Sequence, residues 1–493
     1  MVTKEHTLSK STFIKGCQCL KSLYLLKHFP ELKEDASEEQ QATFQIGHSV
    51  GDLARQLFPE GKDASARRDE KFSNWLSDTQ AFINQSDTNI YEAAFMVNKV
   101  FSAIDILVKR KGKWYAYEVK ASTEVKDYPI LDASLQYYVI TNSGIDLADI
   151  FIVHINNEYV RKGDLDVSKL FTEVSVKKQA IENQDMVKKN IADFKRALSL
   201  DSVPKIDIGP HCSDPFECDF TNHCWSHIKK NSVFEIGGLR SDKKFKLYND
   251  GIIYFKDLQE DAPLSERQWL QVNSKLKGTT NIDKKNIREF LETLSYPLYF
   301  LDFETINPSV PLYENTRPYQ KIPFQFSLHG KKNKNSKAYH AEFLADEKID
   351  PRIPFIEKLL EFTAMPGDIL VYNQSFEIGI MQSLAEAFPK YRKELNERIG
   401  RVKDLMIPFR EMSYYTPAMN GSYSIKAVLP ALVPELTYSD LAISDGGQAS
   451  NDYLSMVLAQ FTGDREEKRK ELREYCKLDT YAMVRILEKL EEV

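Results

Sequence analysis

A chain of 493 residues is longer than one hydrophobic core usually supports, so two domains of about 200 residues joined by a connecting segment are expected. Apolar residues at 42% and charged residues at 28% exclude a disordered chain, and a net charge of -6 excludes a global basic footprint, which leaves only a local patch for nucleic acid. The N-terminal MVTKEHTLSKSTFIKGCQCLKSLYLL lacks the apolar run of a secretory signal, and no stretch of about 18 apolar residues occurs, so a cytoplasmic protein without a membrane span is expected. Six cysteines in such a chain read as thiols or metal ligands rather than as a disulfide framework.

Residues 8–57 read as helical, with Leu20, Leu23, Tyr24 and Leu26 on one face and Gly47, Gly51 and Ala54 at close-packing spacing. Strand-like runs follow at 90–97, 100–109 and 113–119, the last two joined by a Lys-Gly-Lys turn at 111–113, which predicts a β-meander. Helical periodicity at 131–141, an apolar strand at 149–154 and a long helix at 177–197 complete an α/β first domain over residues 1–228. The Pro-, Gly-, Cys- and His-rich stretch 204–225 needs a cross-link or ion to order itself, and the charged stretch 229–294 reads as a connecting helical segment. Over residues 295–493 the order is strands at 298–302, 324–329 and 336–343, a helix at 354–362, a strand at 368–372, then helices. That order fits a ribonuclease-H-like α/β fold.

In YPLYFLDFETI an apolar strand delivers Asp302 and Glu304, and the period of two sends both side chains to one face. VYNQSFEIGIM adds Glu377 after a second apolar strand, and REYCKLDTYAMV adds Asp479 with Tyr475 four residues earlier on the same helical face. Phosphodiester hydrolysis by two ions about 4 Å apart needs three or four such oxygen ligands. The segments DFE, NQSFE and YCKLD resemble, in order, the motifs D-x-E, N-x(2-3)-[FY]-D and [YH]-x(3-4)-D of the DEDD exonucleases, a family related to DnaQ-like proofreading domains. The resemblance implies that Asp302, Glu304, Glu377 and Asp479 hold two Mg2+ or Mn2+ ions while Tyr475 orients the attacking water. Glu377 stands where the family has Asp, Asp404 is an additional acid for a supporting part, and Cys476 reads as a packing residue. The bland alternative, unrelated surface acids, is opposed by the order and spacing of the three segments.

Upstream, Asp105 in FSAIDILVK and the pair Glu118 and Lys120 in YAYEVKAS lie on adjacent strands of the meander, close enough to share one metal. This resembles the PD-(D/E)XK nucleases, and within them the RecB-like branch, with Glu92 in YEAAF as the preceding acid and Gln136 in LQYYVI on the following helix. The resemblance implies a restriction-endonuclease-like domain in which Glu92, Asp105 and Glu118 bind Mg2+ or Mn2+ and Lys120 stabilises developing charge or helps deprotonate water. The histidine that branch carries on its first helix falls at Gly51 here, with His48 displaced, and an inert paired strand is the alternative.

Cys212, Cys218 and Cys224 are equally spaced in HCSDPFECDFTNHCW and want a fourth thiolate, with Cys19 and Cys17 as competitors. Similarity to iron-sulfur RecB-like nucleases implies Cys19 and a [4Fe-4S] cluster that ties the domain's ends together. Structural Zn2+, with His211 or His223 in place of one thiolate, is the rival. Phe13, Phe44, Tyr137 and Tyr138 offer base stacking or core packing, and Lys229, Lys230, Lys243, Lys244 and Lys246 offer phosphate contacts or a solvated face.

The joint pattern is similar to a bacterial family of unknown function that joins a RecB-like iron-sulfur module to a DnaQ-like module. It implies a metal-dependent nuclease, with DNA favoured over RNA, working as a 3'-5' exonuclease on single strands or free ends in repair or defence. A helicase or another repair or defence protein is the expected partner, because no motor motif is visible. A ribonuclease using the same site and a catalytically decayed nucleic-acid-binding scaffold are the alternatives.

Overall fold

The structure, a computed structural model, describes residues 6–85 and 88–493; residues 1–5, the start of the segment read above for a secretory signal, lie outside the described residues. It is a mixed α/β protein that divides into two compact units, Met1–His227 with Ser309–Tyr319, and Ile228–Pro308 with Gln320–Val493. Among the described residues, no helix is long and apolar enough to cross a membrane.

In the first unit, β1 (Lys62–Asp63), β2 (Asn89–Val97), β3 (Val100–Arg110), β4 (Lys113–Lys120), β5 (Leu147–Ile155) and β6 (Phe171–Ser175) form one sheet in chain order. β2, β3 and β4 make the expected antiparallel meander. β4 then runs parallel to β5, which requires a crossover, and the helix Asp127–Asn142 supplies it. The period of two divides the strands' apolar residues between two cores. Ala116 and Ile152 pack with Phe13, Leu135 and Phe194, whereas their neighbours Tyr117 and Val153 pack with Val50, Ala54 and Phe58.

The helical stretch at the N-terminus is three helices, Lys10–Gln18, Leu20–His28 and Glu38–Ala54, and the first break falls on Cys19, whose backbone is extended (φ -161, ψ 120). The single helix expected over 177–197 is likewise two, Lys177–Glu182 and Gln184–Leu198, separated at Asn183. Residues 309–319 are held in this unit by Arg161, which donates to the Pro311 carbonyl at 3.1 Å and the Leu312 carbonyl at 2.9 Å, and by the Tyr319 hydroxyl, which donates to the Ala121 carbonyl.

In the second unit, β7 (Asn281–Ile282) precedes a five-stranded sheet of β8 (Leu298–Ile306), β9 (Ile322–Lys331), β10 (Tyr339–Leu344), β11 (Ile369–Val371) and β12 (Val402–Asp404). The spatial order is β10-β9-β8-β11-β12, with β8, β9 and β10 antiparallel and β8, β11 and β12 parallel. β13 (Tyr414–Tyr415) pairs with β7. β12 departs from the expectation of helices alone after residue 372, because three residues are too few to display a strand period. Val233, Ile236, Leu247, Phe255 and Val272 form a hydrophobic cluster of their own, so the stretch 229–294 is more than connecting helix.

Alternation along β8 positions the acids. Tyr299, Leu301 and Phe303 face a core built with Phe355, Leu359 and Met381. Asp302 and Glu304 are thereby turned to the opposite face, where the helix Arg465–Glu491 packs on β8 and β9. On that face Thr480 Oγ1 meets Ser327 Oγ at 2.7 Å and His329 Nδ1 at 2.8 Å, which fixes the helix over the sheet with buried hydrogen bonds.

Candidate active site and cysteine cavity

Three elements of the second unit converge on one cluster of acids. Ligand atoms of Asp302, Glu304 and Cys476 lie within 4.8 Å of one another, which among the described residues is the one group of three such side chains that close. The helix Arg465–Glu491 places Tyr475 and Asp479 one turn apart, and the Tyr438 hydroxyl donates to Asp479 Oδ1 at 2.6 Å. Glu377 arrives on the first turn of the helix Gln374–Ala387, where side chains lean back toward the helix start. The turn before it is strained: Asn373 is left-handed (φ 81, ψ 72), and Asp404 at the end of β12 holds it by accepting from the amides of Asn373 at 3.0 Å and Met406 at 2.9 Å.

These carboxyls repel one another out of water. Burial, then Asp479, Glu304 and Glu377, raises Asp302 well above the ordinary carboxylate range, and burial with Asp479 does the same for Glu304. Burial pushes Glu377 up to about 8. It pushes Asp479 to about 6, restrained by the Tyr438 hydrogen bond and by Lys426. The Lys426 ammonium lies 5.6 Å from the ring centres of both Tyr438 and Tyr475. Glu377 Oε2 is buried without a hydrogen-bond partner. Cys476 Sγ is 3.9 Å from Asp302 Oδ2, and burial with Asp302 keeps the thiol far above its usual range, so it stays neutral and is a poor ligand for a hard cation.

The first unit also assembles its acids, but with cations among them. Asp105 Oδ2 accepts from the Val119 amide at 2.7 Å, Lys120 Nζ lies 2.8 Å from Glu118 Oε1 and 2.9 Å from Asp132 Oδ2, and Gln136 donates to Glu118 Oε2. Glu92 Oε1 is 3.4 Å from Arg55. A residue outside the sequence pattern, Lys10, places its ammonium 2.5 Å from Glu118 Oε1. Burial opposes ionisation of Glu118, yet Lys10 and Lys120 hold it down at about 2, whereas burial and Glu118 push Asp105 up to about 7. His48 is exposed on its helix.

Residues 299–424 match a family described as a domain of unknown function, DUF2779. The chain is also 25% identical over 234 residues to "Uncharacterized protein MG366" of Mycoplasma genitalium, a match that covers 44% of this chain and 33% of that protein. The matched family region contains Asp302, Glu304, Glu377 and Asp404 and ends before Tyr438, Tyr475 and Asp479.

Cys19, Cys212, Cys218 and Cys224 all line one cavity of the first unit, together with Lys21 and His211. Gln18 ties the N-terminal helix to the cysteine loop by donating to the carbonyls of His211 at 2.8 Å and Phe216 at 2.6 Å, and Lys15 pairs with Asp219 at 2.8 Å. Cys17 points elsewhere: it packs against the core and its sulfur receives Asn190 Nδ2 at 3.5 Å. Burial raises the thiols of Cys19 and Cys224, the latter eased by Lys21.

Of the remaining sequence candidates, Phe13 is in the core, Tyr137 and Tyr138 pack against it, and Phe44 is exposed. Lys244 donates to the Phe234 carbonyl at 2.7 Å and Lys246 pairs with Asp250 at 2.7 Å. Lys10, Asp132, Lys426 and Tyr438 were not marked by any motif; Lys10, Lys426 and Tyr438 reach their sites from distant segments, whereas Asp132 lies one turn before Gln136 on the same helix and helical spacing could have found it.

Proposed function

We propose that the chain is a metal-dependent nuclease whose second unit is a ribonuclease-H-like DEDD domain, a 3'-5' exonuclease acting on DNA single strands or free ends in repair or defence. The convergence of Asp302, Glu304, Glu377 and Asp479 from β8 and two helices on one buried face carries this reading. The sheet order, three antiparallel strands followed by two parallel ones, supports it as well. The first unit, with its meander, crossover helix and Asp105, Glu118, Lys120 and Gln136 gathered at one place, is read as a PD-(D/E)XK domain of RecB-like type. A cytoplasmic location and a helicase-like partner that opens duplex ends belong to the same proposal.

Mg2+ or Mn2+ fits the second unit's cluster, because its donors are hard oxygens only partly offset by Lys426, and Glu377 Oε2 is an orphaned buried acceptor. Asp302, Glu304, Glu377 and Asp479 would hold such ions, which would supply the positive charge and the water activation that phosphodiester cleavage requires. The protein's own groups orient the parts. Tyr438 and Tyr475 both hydrogen-bond Asp479, and Tyr475 is the group that aligns the attacking water. Lys426, exposed beside both rings, is suited to hold a substrate phosphate.

The cysteine cavity is read as a [4Fe-4S] site with a structural role, because the four thiols of Cys19, Cys212, Cys218 and Cys224 line it together, and Zn2+ is the rival occupant.

The test is hydrolysis of end-labelled single-stranded and duplex DNA, and of RNA of the same sequence, in Mg2+ and Mn2+. Shortening from the 3' end is expected, and Asp302→Ala and Asp479→Ala should each abolish it with the circular dichroism spectrum unchanged. Full activity in Asp302→Ala, with loss in Glu118→Ala, would overturn the assignment of the engine to the second unit. Faster cleavage of RNA would transfer the substrate and keep the site.

A further inference from the structure

The first unit's carboxylate cluster differs from the second unit's in one respect: it already contains its cations. Glu118 has no oxygen to spare, since Oε1 takes the ammoniums of Lys10 at 2.5 Å and Lys120 at 2.8 Å while Oε2 takes the Gln136 amide. Asp132 Oδ2 is engaged by Lys120, Asp105 Oδ2 by the Val119 amide, and Glu92 Oε1 by Arg55. The four acids Glu92, Asp105, Glu118 and Asp132 thus face Lys10 and Lys120, with Arg55 shared between Glu92 at 3.4 Å and Asp63 at 3.0 Å. Lys10 is the central one, because its charge acts on all four of those carboxylates.

Nor is Lys10 a loose surface side chain that happens to lean inward. Leu8 forms a bridge to Val100 of β3, with the Leu8 amide donating to the Lys99 carbonyl at 2.9 Å and the Phe101 amide donating to the Leu8 carbonyl at 2.7 Å. Ser9 caps the following helix through a capping box with Thr12. Lys10 is therefore the first residue of a helix whose start is fixed on both sides, and its ammonium is delivered to β4 from there. A divalent cation at this place would have to displace the Lys10 ammonium from Glu118 Oε1. The residues present do not fit a divalent metal.

The geometry points to Lys10 as a built-in substitute for the divalent cation of the first unit: its ammonium pairs with Glu118 at the centre of the acid cluster, and the unit keeps this arrangement without binding metal. This goes beyond the proposed nuclease function, which rests on the second unit. It assigns Lys10 a charge-positioning role and assigns the Glu92, Asp105, Glu118 set no metal.

Counting bound Mn2+ by electron paramagnetic resonance tests it on the full chain with the second unit's ligands removed by Asp302→Asn, Glu304→Gln and Asp479→Asn. That background protein is expected to bind no stoichiometric Mn2+. Adding Lys10→Met, which keeps the stem and removes the charge, should create one Mn2+ site, and further adding Glu118→Gln should remove it. The melting temperature of the Lys10→Met protein should fall without metal and recover with Mn2+. Stoichiometric Mn2+ in the background protein that disappears on Glu118→Gln alone would overturn the proposal. So would a Lys10→Met protein that gains no Mn2+ site, or one that unfolds and is not rescued by Mn2+. Activity of the second unit enters none of these readouts, so failure here and failure of the nuclease reading are separable.

Discussion

The Tyr438 hydroxyl donates a 2.6 Å hydrogen bond to Asp479 Oδ1, joining a segment 41 residues upstream to the acid of the third exonuclease-like motif. A phenol in that position stabilises the charged carboxylate and fixes which of its oxygens is left for a cation. Tyr438→Phe should therefore raise the Mg2+ concentration needed for half-maximal hydrolysis by about tenfold, with little change in rate at saturating metal. A Mg2+ titration of single-strand hydrolysis reads this directly. An unchanged Mg2+ dependence would make the hydrogen bond a packing feature.

The pH dependence of stability follows from the second unit's acids. Asp302, Glu304, Glu377 and Asp479 all hold protons more tightly folded than unfolded, with Glu377 at about 8 and Asp479 at about 6. The native state therefore binds more protons across that window, and stability falls as pH rises from the ordinary carboxylate range of about 4 through the folded values. Metal-free protein should melt at a lower temperature near pH 8 than near pH 5, and Mg2+ should restore more at the higher pH. Asp105, pushed up to about 7, changes stability in the same direction. Asp302→Asn with Glu377→Gln should remove the part of the slope that these two acids supply, read by differential scanning calorimetry.

What the sequence discloses is what lies close together along it. Asp302 and Glu304 are two residues apart on a strand, and Tyr475 and Asp479 are four apart on a helix, so local geometry alone groups them. The meander was readable for the same reason, with three alternating runs joined by short turns. Lys10 and Glu118 are 108 residues apart, and their meeting depends on the Leu8 bridge, the Ser9 cap and the packing of the first helix, none of which leaves a periodic mark. β12 is invisible for a different reason: its three residues are a strand only because β11 offers an edge beside them.

Cys19 and Cys17 are two residues apart but sit in different environments. Cys19 lines the cavity with Cys212, Cys218 and Cys224, while Cys17 is packed on the core beside Asn190. Cys19→Ser should lose the visible absorbance of an iron-sulfur cluster and most of the bound iron and sulfide after anaerobic purification, and Cys17→Ser should keep both. Because the cysteine loop is tied to the N-terminal helices through Gln18 and Lys15, Cys19→Ser should also lower the melting temperature of the first unit. Equal iron content in the two variants, or stoichiometric zinc in the wild type, would contradict the assignment.

Glu377 is the one acid of the second unit longer by a methylene than the resembling family's Asp, and its surroundings account for the length. It starts from the first turn of the helix Gln374–Ala387, behind the Asn373 turn that Asp404 clamps, and its Oε2 reaches a buried position with no protein partner. An Asp on the same backbone would stop about 1.5 Å short of that point. Glu377→Asp should therefore reduce hydrolysis by about tenfold to a hundredfold and weaken Mn2+ binding by a similar factor, although it restores the family's residue. Glu377→Gln should be worse for metal but, above about pH 8 where the wild-type carboxyl is charged, more stable without it. Steady-state rates across a Mn2+ series, with melting curves of the metal-free proteins alongside, separate the two effects. If Glu377→Gln is as active as wild type at every Mn2+ concentration, Glu377 is not a ligand, and the cation set reduces to Asp302, Glu304 and Asp479.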